Sequence, residues 1–321
     1  MTELTDPIFT DAEAARRHLE AQVWPEGPVC PHCGNCNQER ITTLRGEKHR
    51  PGLYQCSECT KQFTVTVKTV FERSKVPLNK WLLATYLLNS SKKGFSAHQL
   101  HRTLGVTYKT AWFMFHRIRE AMRPDDLTPM GGNGKTVEID ETVFGRQEGS
   151  PPRRANPRAR AVNGNQFRNI ALTLVERGGA ARSFHVDGTT IGTLLPIIRA
   201  NVAKESAVMT DEASWYKNLK KETGVESHDA VNHTDKEYAR YEGEKVISTN
   251  TVEGYYSIFK RGMKGVYQHC GERHLHRYLA EYDHRYSYRI KLGYDDQART
   301  DVALAGIKGK RLMYRRPIEA A

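Results

Sequence analysis

Long apolar runs are missing from these 321 residues. The longest, Trp81-Leu82-Leu83-Ala84-Thr85-Tyr86-Leu87-Leu88, is far shorter than the roughly 20 residues that cross a bilayer. A membrane protein is therefore not expected. The N-terminus is acidic and polar where a secretory leader would be basic and then apolar, so a cytoplasmic location is expected. Cysteine is scarce, at six residues, and that argues against a disulfide-stapled secreted scaffold. Acidic residues are in deficit: 37 Asp and Glu face 49 Lys and Arg, a formal charge of +12. The pI near 9.4 favours an anionic partner, and nucleic acid is the commonest one for a soluble protein. The plain alternative is a basic protein kept soluble by its charge. The length suits two or three domains better than one core.

What cysteine there is has a pattern. Cys30-Pro31-His32-Cys33 and Cys56-Ser57-Glu58-Cys59 are two C-x2-C knuckles separated by 22 residues. Two knuckles supply four thiolates, enough to close a tetrahedral zinc site with no position left for water. Short strands are expected at 39–44, 53–55 and 62–67, making 25–72 a zinc ribbon behind a lead-in at 1–24. Cys36 is a spare that could compete as a ligand. Cys270 stands alone and reads as a small hydrophobic residue.

Residues 73–128 read as helical. A helix starts at Pro77 and ends before Lys92-Lys93-Gly94. Ser96 caps a short helix carrying Leu100 and Leu104, Gly105 makes the turn, and Thr107 caps another helix. Helix, tight turn, helix is the order of a DNA-binding helix-turn-helix, although ordinary helical hairpins share it. On that reading the second helix offers Tyr108, Lys109, His116, Arg117 and Arg119 to phosphates and bases.

Beyond a Gly-rich linker at 129–135 the pattern turns to mixed α/β. Strands are expected at 136–140, 169–176, 181–186 and 207–210. A helix capped by Thr189 precedes the fourth strand. A helix from Ser214, a strand near 230–232 and a helix from about Asn250 follow. Three strands, a helix, then a strand match the order of an RNase H-like fold, expected over 136–290. On it, Asp140 and Asp211 end strands and Glu253 rides the later helix. Clustered carboxylates resist ionising together unless a cation binds them, and a pair of divalent metals is the usual solution for phosphodiester chemistry. Taken singly, each acid is an ordinary turn or helix charge. Lys260 lies seven residues after Glu253, two turns along the same helix face. Between the first two strands, 145–168 carries six arginines and two adjacent prolines. It reads as a basic arm in which Arg153, Arg154, Arg158 and Arg160 could lie along DNA. Residues 291–321 read as a basic tail.

These motifs together resemble the IS1595-type bacterial transposases of the ISXO2-like group. The segments that carry the resemblance are Val-Glu-Ile-Asp-Glu-Thr-Val-Phe-Gly at 137–145, Thr-Asp-Glu at 210–212, Val-Asn-His-Thr at 231–234, and Asn-Thr-Val-Glu-Gly-Tyr-Tyr-Ser-Ile-Phe-Lys-Arg-Gly at 250–262. The resemblance implies a multidomain DDE transposase that cleaves insertion-sequence ends and transfers them with Mg2+ or Mn2+. It assigns metal binding to Asp140 and Asp211. Its third position, Asn or Glu in this group, falls on Asn250 or Glu253. Glu253 is preferred because a carboxylate binds Mg2+ better than an amide. Lys260 and Arg261 would hold DNA. The implied partners are terminal inverted repeats and target DNA, bound by a homodimer or higher oligomer at the bacterial nucleoid. Tyr256, Ser248 and Ser287 depart from the expected Trp, His and Asn. A catalytically dead DNA-binding regulator and an RNase H-like nuclease or resolvase without strand transfer are the rival functions. Cleavage and strand-transfer assays separate them.

Overall fold

The computed structural model describes residues 3–125, 127–150, 167–232, 237, 239–243 and 245–313. The chain divides into two compact units. One comprises Met1–Ser91, Phe95–Pro124 and Tyr294–Ala321, and the other Lys92–Gly94 and Asp125–Gly293. Among the described residues no helix is long and apolar enough to cross a membrane.

The first unit opens with α1 (Pro7–Thr10) and α2 (Ala12–Val23), each capped by an aspartate, Asp6 and Asp11. The ribbon follows as an antiparallel sheet of β1 (Ile41–Leu44), β2 (Leu53–Cys56) and the two-residue β3 (Gln62–Phe63). Three helices come next: α3 (Leu78–Ser90), α4 (Ala97–Leu104) and α5 (Tyr108–Met122). Ser96 and Gln99 form a reciprocal capping box on α4. Gly105 closes it at φ 62°, a left-handed backbone that glycine adopts without penalty. Thr107 caps α5 through the Thr110 N–H. The expected helix-turn-helix order is thus present.

The polar face expected on α5 is not. His116, Arg117 and Arg119 are buried, at 1%, 6% and 2% exposure. The helix packs through Ala111, Met114, Phe115, Ile118, Ala121 and Met122, and its flanks are covered as well. Arg117 lies over the Trp81 and Phe113 rings and donates to the Glu72 carbonyl at 2.6 Å. Arg119 lies over Phe115. These are cations spent on packing, and burial lowers the Arg117 pKa to about 10. Arg117→Ala should therefore cost about 2 kcal/mol or more of stability, since it removes a charged hydrogen bond and ring contacts together. A denaturant midpoint unchanged by this substitution would contradict the packing role.

The second unit is built on a five-stranded sheet. Its strands are β4 (Thr136–Phe144), β5 (Asn169–Glu176), β6 (Ala181–Val186), β7 (Ala207–Asp211) and β8 (Ser227–Val231), in the order β6-β5-β4-β7-β8. The β4–β5 and β5–β6 pairs are antiparallel, and β4–β7 and β7–β8 are parallel. This is the mixed sheet of the RNase H-like fold. On one face Val137, Ile139, Leu172, Leu174 and Val208 pack with α6 (Ile191–Asn201). The cap of α6 is Thr190, one residue later than expected. The short α7 (Leu219–Thr223) belongs to the same face, through Leu219. The other face carries α8 (Asn250–Gly262) and α9 (Leu275–Ser287), which bury Tyr255, Phe259, Tyr278 and Leu279 against Phe144, Ala171 and Val175.

Further features depart from the sequence expectations: the strand expected at 62–67 shrinks to the two residues of β3, and the lead-in at 1–24 folds as α1 and α2. A hairpin, β9 (Ala239–Glu242) with β10 (Lys245–Ser248), leads into α8. Strand β4 runs on to Phe144, paired with β5 throughout. Part of the segment expected as a tail is core: α10 (Asp296–Ala305) buries Ala303 and Leu304 in the first unit, with Ile307 just beyond.

Candidate catalytic site and metal centre

The parallel register of β4 and β7 pairs Thr136 with Ala207, Val137 with Val208 and Glu138 with Met209. Continued upward, it sets Asp140 level with Asp211, but the pairing has stopped by then. Asp211 thus ends β7, while Asp140 lies within β4, just past the point where its pairing with β7 stops, and the gap between the two strands opens at these two acids. Asp211 is fixed by the turn after it, where the Ala213 N–H donates to Oδ1 at 3.1 Å. Helix α8 is tied to β4 beside Asp140, because the Tyr256 hydroxyl donates to the Asp140 carbonyl at 2.5 Å. Tyr256 stands where a tryptophan was expected, and its hydroxyl makes this tie. Glu253 is one turn earlier on the helix, exposed, and its Oε1 accepts from the Thr249 hydroxyl at 3.1 Å.

Among the described residues only the four ribbon thiols gather within 4.8 Å of one another, so the three acids are neighbours and not a closed cluster, and their charges are felt at Asp140. The Asp140 carboxyl is pushed up to about 7, first by burial and then by the negative charges of Glu141, Asp211 and Glu253. Glu141 is also raised to about 7 by burial, against the Tyr216 hydroxyl, and by Asp211. The Tyr216 hydroxyl and the Trp215 indole N–H both donate to Glu141. Glu141 was not expected as a site residue. Its partners lie in the turn after Asp211, too far along the chain for local pattern to link them.

Asn250 is the first residue of α8 and exposed. Lys260 and Arg261 are exposed at the other end of the helix, with the Lys260 ammonium 5.8 Å from the Tyr256 ring centroid. The donor set of Asp140, Asp211 and Glu253 is all carboxylate oxygen and electrostatically frustrated. That suits a hard divalent cation.

In the ribbon the four expected thiols meet. The sulfurs of Cys30, Cys33, Cys56 and Cys59 all lie within 4.8 Å of one another. Cys30–Cys59 is 3.6 Å and Cys33–Cys56 is 3.7 Å. The Asn35 amide donates to Cys56. Burial opposes ionisation of Cys56, but backbone N–H groups and Asn35 outweigh it and lower the thiol to about 6. An all-sulfur set of four at this spacing fits tetrahedral zinc. Cys36 is outside the cluster and exposed.

On the helix-turn-helix, Tyr108 and Lys109 are exposed at the start of α5. His98 of α4 stacks on Tyr108 at 4.3 Å, and Arg102 of α4 is exposed too. Sequence reasoning missed His98 and Arg102, although both stand on the polar side of α4. Arg153, Arg154, Arg158 and Arg160 lie outside the described residues, as do His233 and Thr234.

Residues 131–287 match the family model of the ISXO2-like transposase domain, and residues 10–62 match the transposase zinc-ribbon domain. The chain is 28% identical over 265 residues to an uncharacterized protein in transposable element ISH50 of Halobacterium salinarum. That likeness covers 79% of this chain and 85% of the relative. The relative is archaeal, so the likeness does not restrict the source to bacteria.

Proposed function

We propose, from a chain that carries an ISXO2-like transposase domain behind a transposase zinc ribbon, that it cleaves insertion-sequence ends and joins them to target DNA. The observation that carries the reading is the placement of the acids: the β4–β7 register sets Asp140 beside Asp211, and Tyr256 ties the helix of Glu253 to the Asp140 carbonyl. Asp140, Asp211 and Glu253 would hold two Mg2+ or Mn2+ ions, and Asn250 is the alternative at the third position. When bound, such ions stabilise the attacking and leaving oxygens of an in-line displacement.

The protein's own groups do the rest. Lys260 and Arg261, exposed on α8, place the DNA phosphates. Water adds to the phosphorus at the element's end, and the bond to the 3′ oxygen breaks, leaving a 3′ hydroxyl and a 5′ phosphate. The freed 3′ hydroxyl then attacks a target phosphodiester, loses its proton, and displaces a target 3′ oxygen. No covalent protein–DNA bond is needed. Two ends require two such sites, which favours a homodimer or higher oligomer on nucleoid DNA.

End recognition falls to the start of α5. Recognition helices of this motif contact bases through their N-terminal residues, and here Tyr108 and Lys109 are free of the burial that claims His116, Arg117 and Arg119. Affinity for terminal DNA should fall steeply with salt, with a log–log slope of about −0.9 per phosphate neutralised. Lys109→Ala should weaken binding and flatten that slope by about one. A salt-independent affinity, or a Lys109→Ala variant that binds as the parent does, would refute this face. The full reading is tested by strand transfer from a pre-cut end. Cleavage without joining would leave a nuclease.

A further inference from the structure

Glu138 is a fully buried carboxylate, at 0% exposure, two residues before Asp140 on β4. Strand periodicity puts both on the face that meets α8. Its oxygens are saturated by groups distant in sequence. Oε2 accepts from the backbone N–H of Thr251 at 2.7 Å and of Val252 at 3.0 Å. Oε1 accepts from the Thr251 hydroxyl at 2.7 Å and from the Arg177 Nε at 2.6 Å. Arg177 spends its remaining N–H groups on the Val246 carbonyl at 2.6 Å and the Ser248 carbonyl at 2.9 Å. The pair therefore grips the last strand of the hairpin and the first turn of α8 together.

We propose that Glu138, with Arg177, is a positioning residue that sets the depth and rotation of α8 so that Glu253 faces Asp140. The α8 cap residue Thr249 makes no side-chain capping bond to the helix N–H groups. Glu138 does that work from the neighbouring strand. Val252 is the residue before Glu253, so fixing its N–H fixes where the next side chain leaves the helix. Tyr256 supplies the second anchor, on the Asp140 carbonyl. Two points on β4 thus hold the helix on either side of Glu253. A buried ion pair adds little net stability over an apolar replacement. What it adds here is geometry, and a displacement of about 1 Å in a ligand-bearing element can cost a hundredfold in rate.

This role rests on Glu253 acting at the proposed site, so the experiment carries Glu253→Ala beside Glu138→Gln. Two quantities are measured on the folded full chain: Mn2+ half-saturation by electron paramagnetic resonance, and amide hydrogen exchange over 249–254. Glu138→Gln should raise half-saturating Mn2+ about 10- to 100-fold. Exchange at Thr251 and Val252 should quicken about tenfold or more, the scale of one lost hydrogen bond. A loss of folded protein alone would lower the number of sites without moving half-saturation. Thr251→Val, which removes one donor and leaves the ion pair, should shift both readouts the same way by a smaller factor, and it decides the matter if Glu138→Gln does not fold. If Glu253→Ala weakens Mn2+ binding while Glu138→Gln or its substitute binds as the parent does, the positioning role is wrong. If Glu253→Ala itself binds Mn2+ normally, the catalytic reading of Glu253 fails first.

Discussion

Alanine at Asp140, Asp211 or Glu253 should abolish metal-dependent cleavage of the element's ends and leave binding of terminal DNA nearly intact. The reason is a separation of labour. The three acids stand in the second unit, whereas Tyr108 and Lys109 belong to the first unit. Losing one carboxylate from a two-metal site removes several kcal/mol of transition-state stabilisation, on the order of a thousandfold or more in rate. Removing a negative charge also relieves repulsion among the acids, so these variants should be folded and no less stable than the parent. Asn250→Ala is the control, because Asn250 and Glu253 sit one turn apart on the same helix. Near-normal cleavage by Glu253→Ala with none by Asn250→Ala would move the third ligand to Asn250. Normal cleavage by all four variants would leave a DNA-binding regulator in place of an enzyme. Gel assays on end-containing duplexes, with binding measured in parallel, distinguish these outcomes.

The sheet was legible because its strands are apolar runs closed by clear turn signals. Asn169–Glu176 and Ala181–Val186 fall where the pattern predicts them. Asp211 ends β7 where the pattern puts it, whereas Asp140 stands within β4, because Thr142 and Phe144 continue the strand past the expected end. Helix α9 was not legible. Leu275, Tyr278, Leu279 and Tyr282 keep helical spacing on its buried face, but buried Glu281, His284 and Arg285, with the Glu281–Arg285 ion pair, make the segment look solvated. Helix α10 hides in the same way behind buried Arg299 and Thr300. The α5 error has the opposite form. Arg117 and Arg119 look like a solvated stripe at helical spacing, and nothing local says that Trp81, Phe113 and the Glu72 carbonyl will cover the first of them. Glu138 and Glu141 share β4 with Asp140, but their partners are 39 to 114 residues away for Glu138 and 74 to 75 for Glu141. Pattern reads one element at a time. These clamps exist only between elements.

Withdrawing metal from the ribbon should unfold it, and here the expected effect is the largest in energy. The sheet of β1, β2 and β3 is short, with β3 only two residues long. Its apolar support includes an aromatic trio, beside buried Leu53 and Val65. Trp24 meets Tyr54 and Phe63 edge-on at 5.6 and 5.8 Å, and those two rings stack at 5.7 Å. Such pairs add about 0.5–1.5 kcal/mol each beyond their burial, whereas structural zinc in small fingers contributes an apparent 10–16 kcal/mol. The metal should therefore decide whether residues 25–72 fold. Metal analysis of the whole chain should find about one zinc, the number a closed four-thiolate site takes. Cys56→Ser should lose that zinc and the near-ultraviolet dichroism of the Trp24 cluster. Cys36→Ser, outside the cluster and exposed, should keep both. A strong chelator should reproduce the Cys56→Ser signal in the parent while the five-stranded sheet of the second unit keeps its strand signature. A zinc-free chain whose Trp24 environment is unchanged would show that the aromatic trio suffices and that the four sulfurs, though gathered, hold no structural metal.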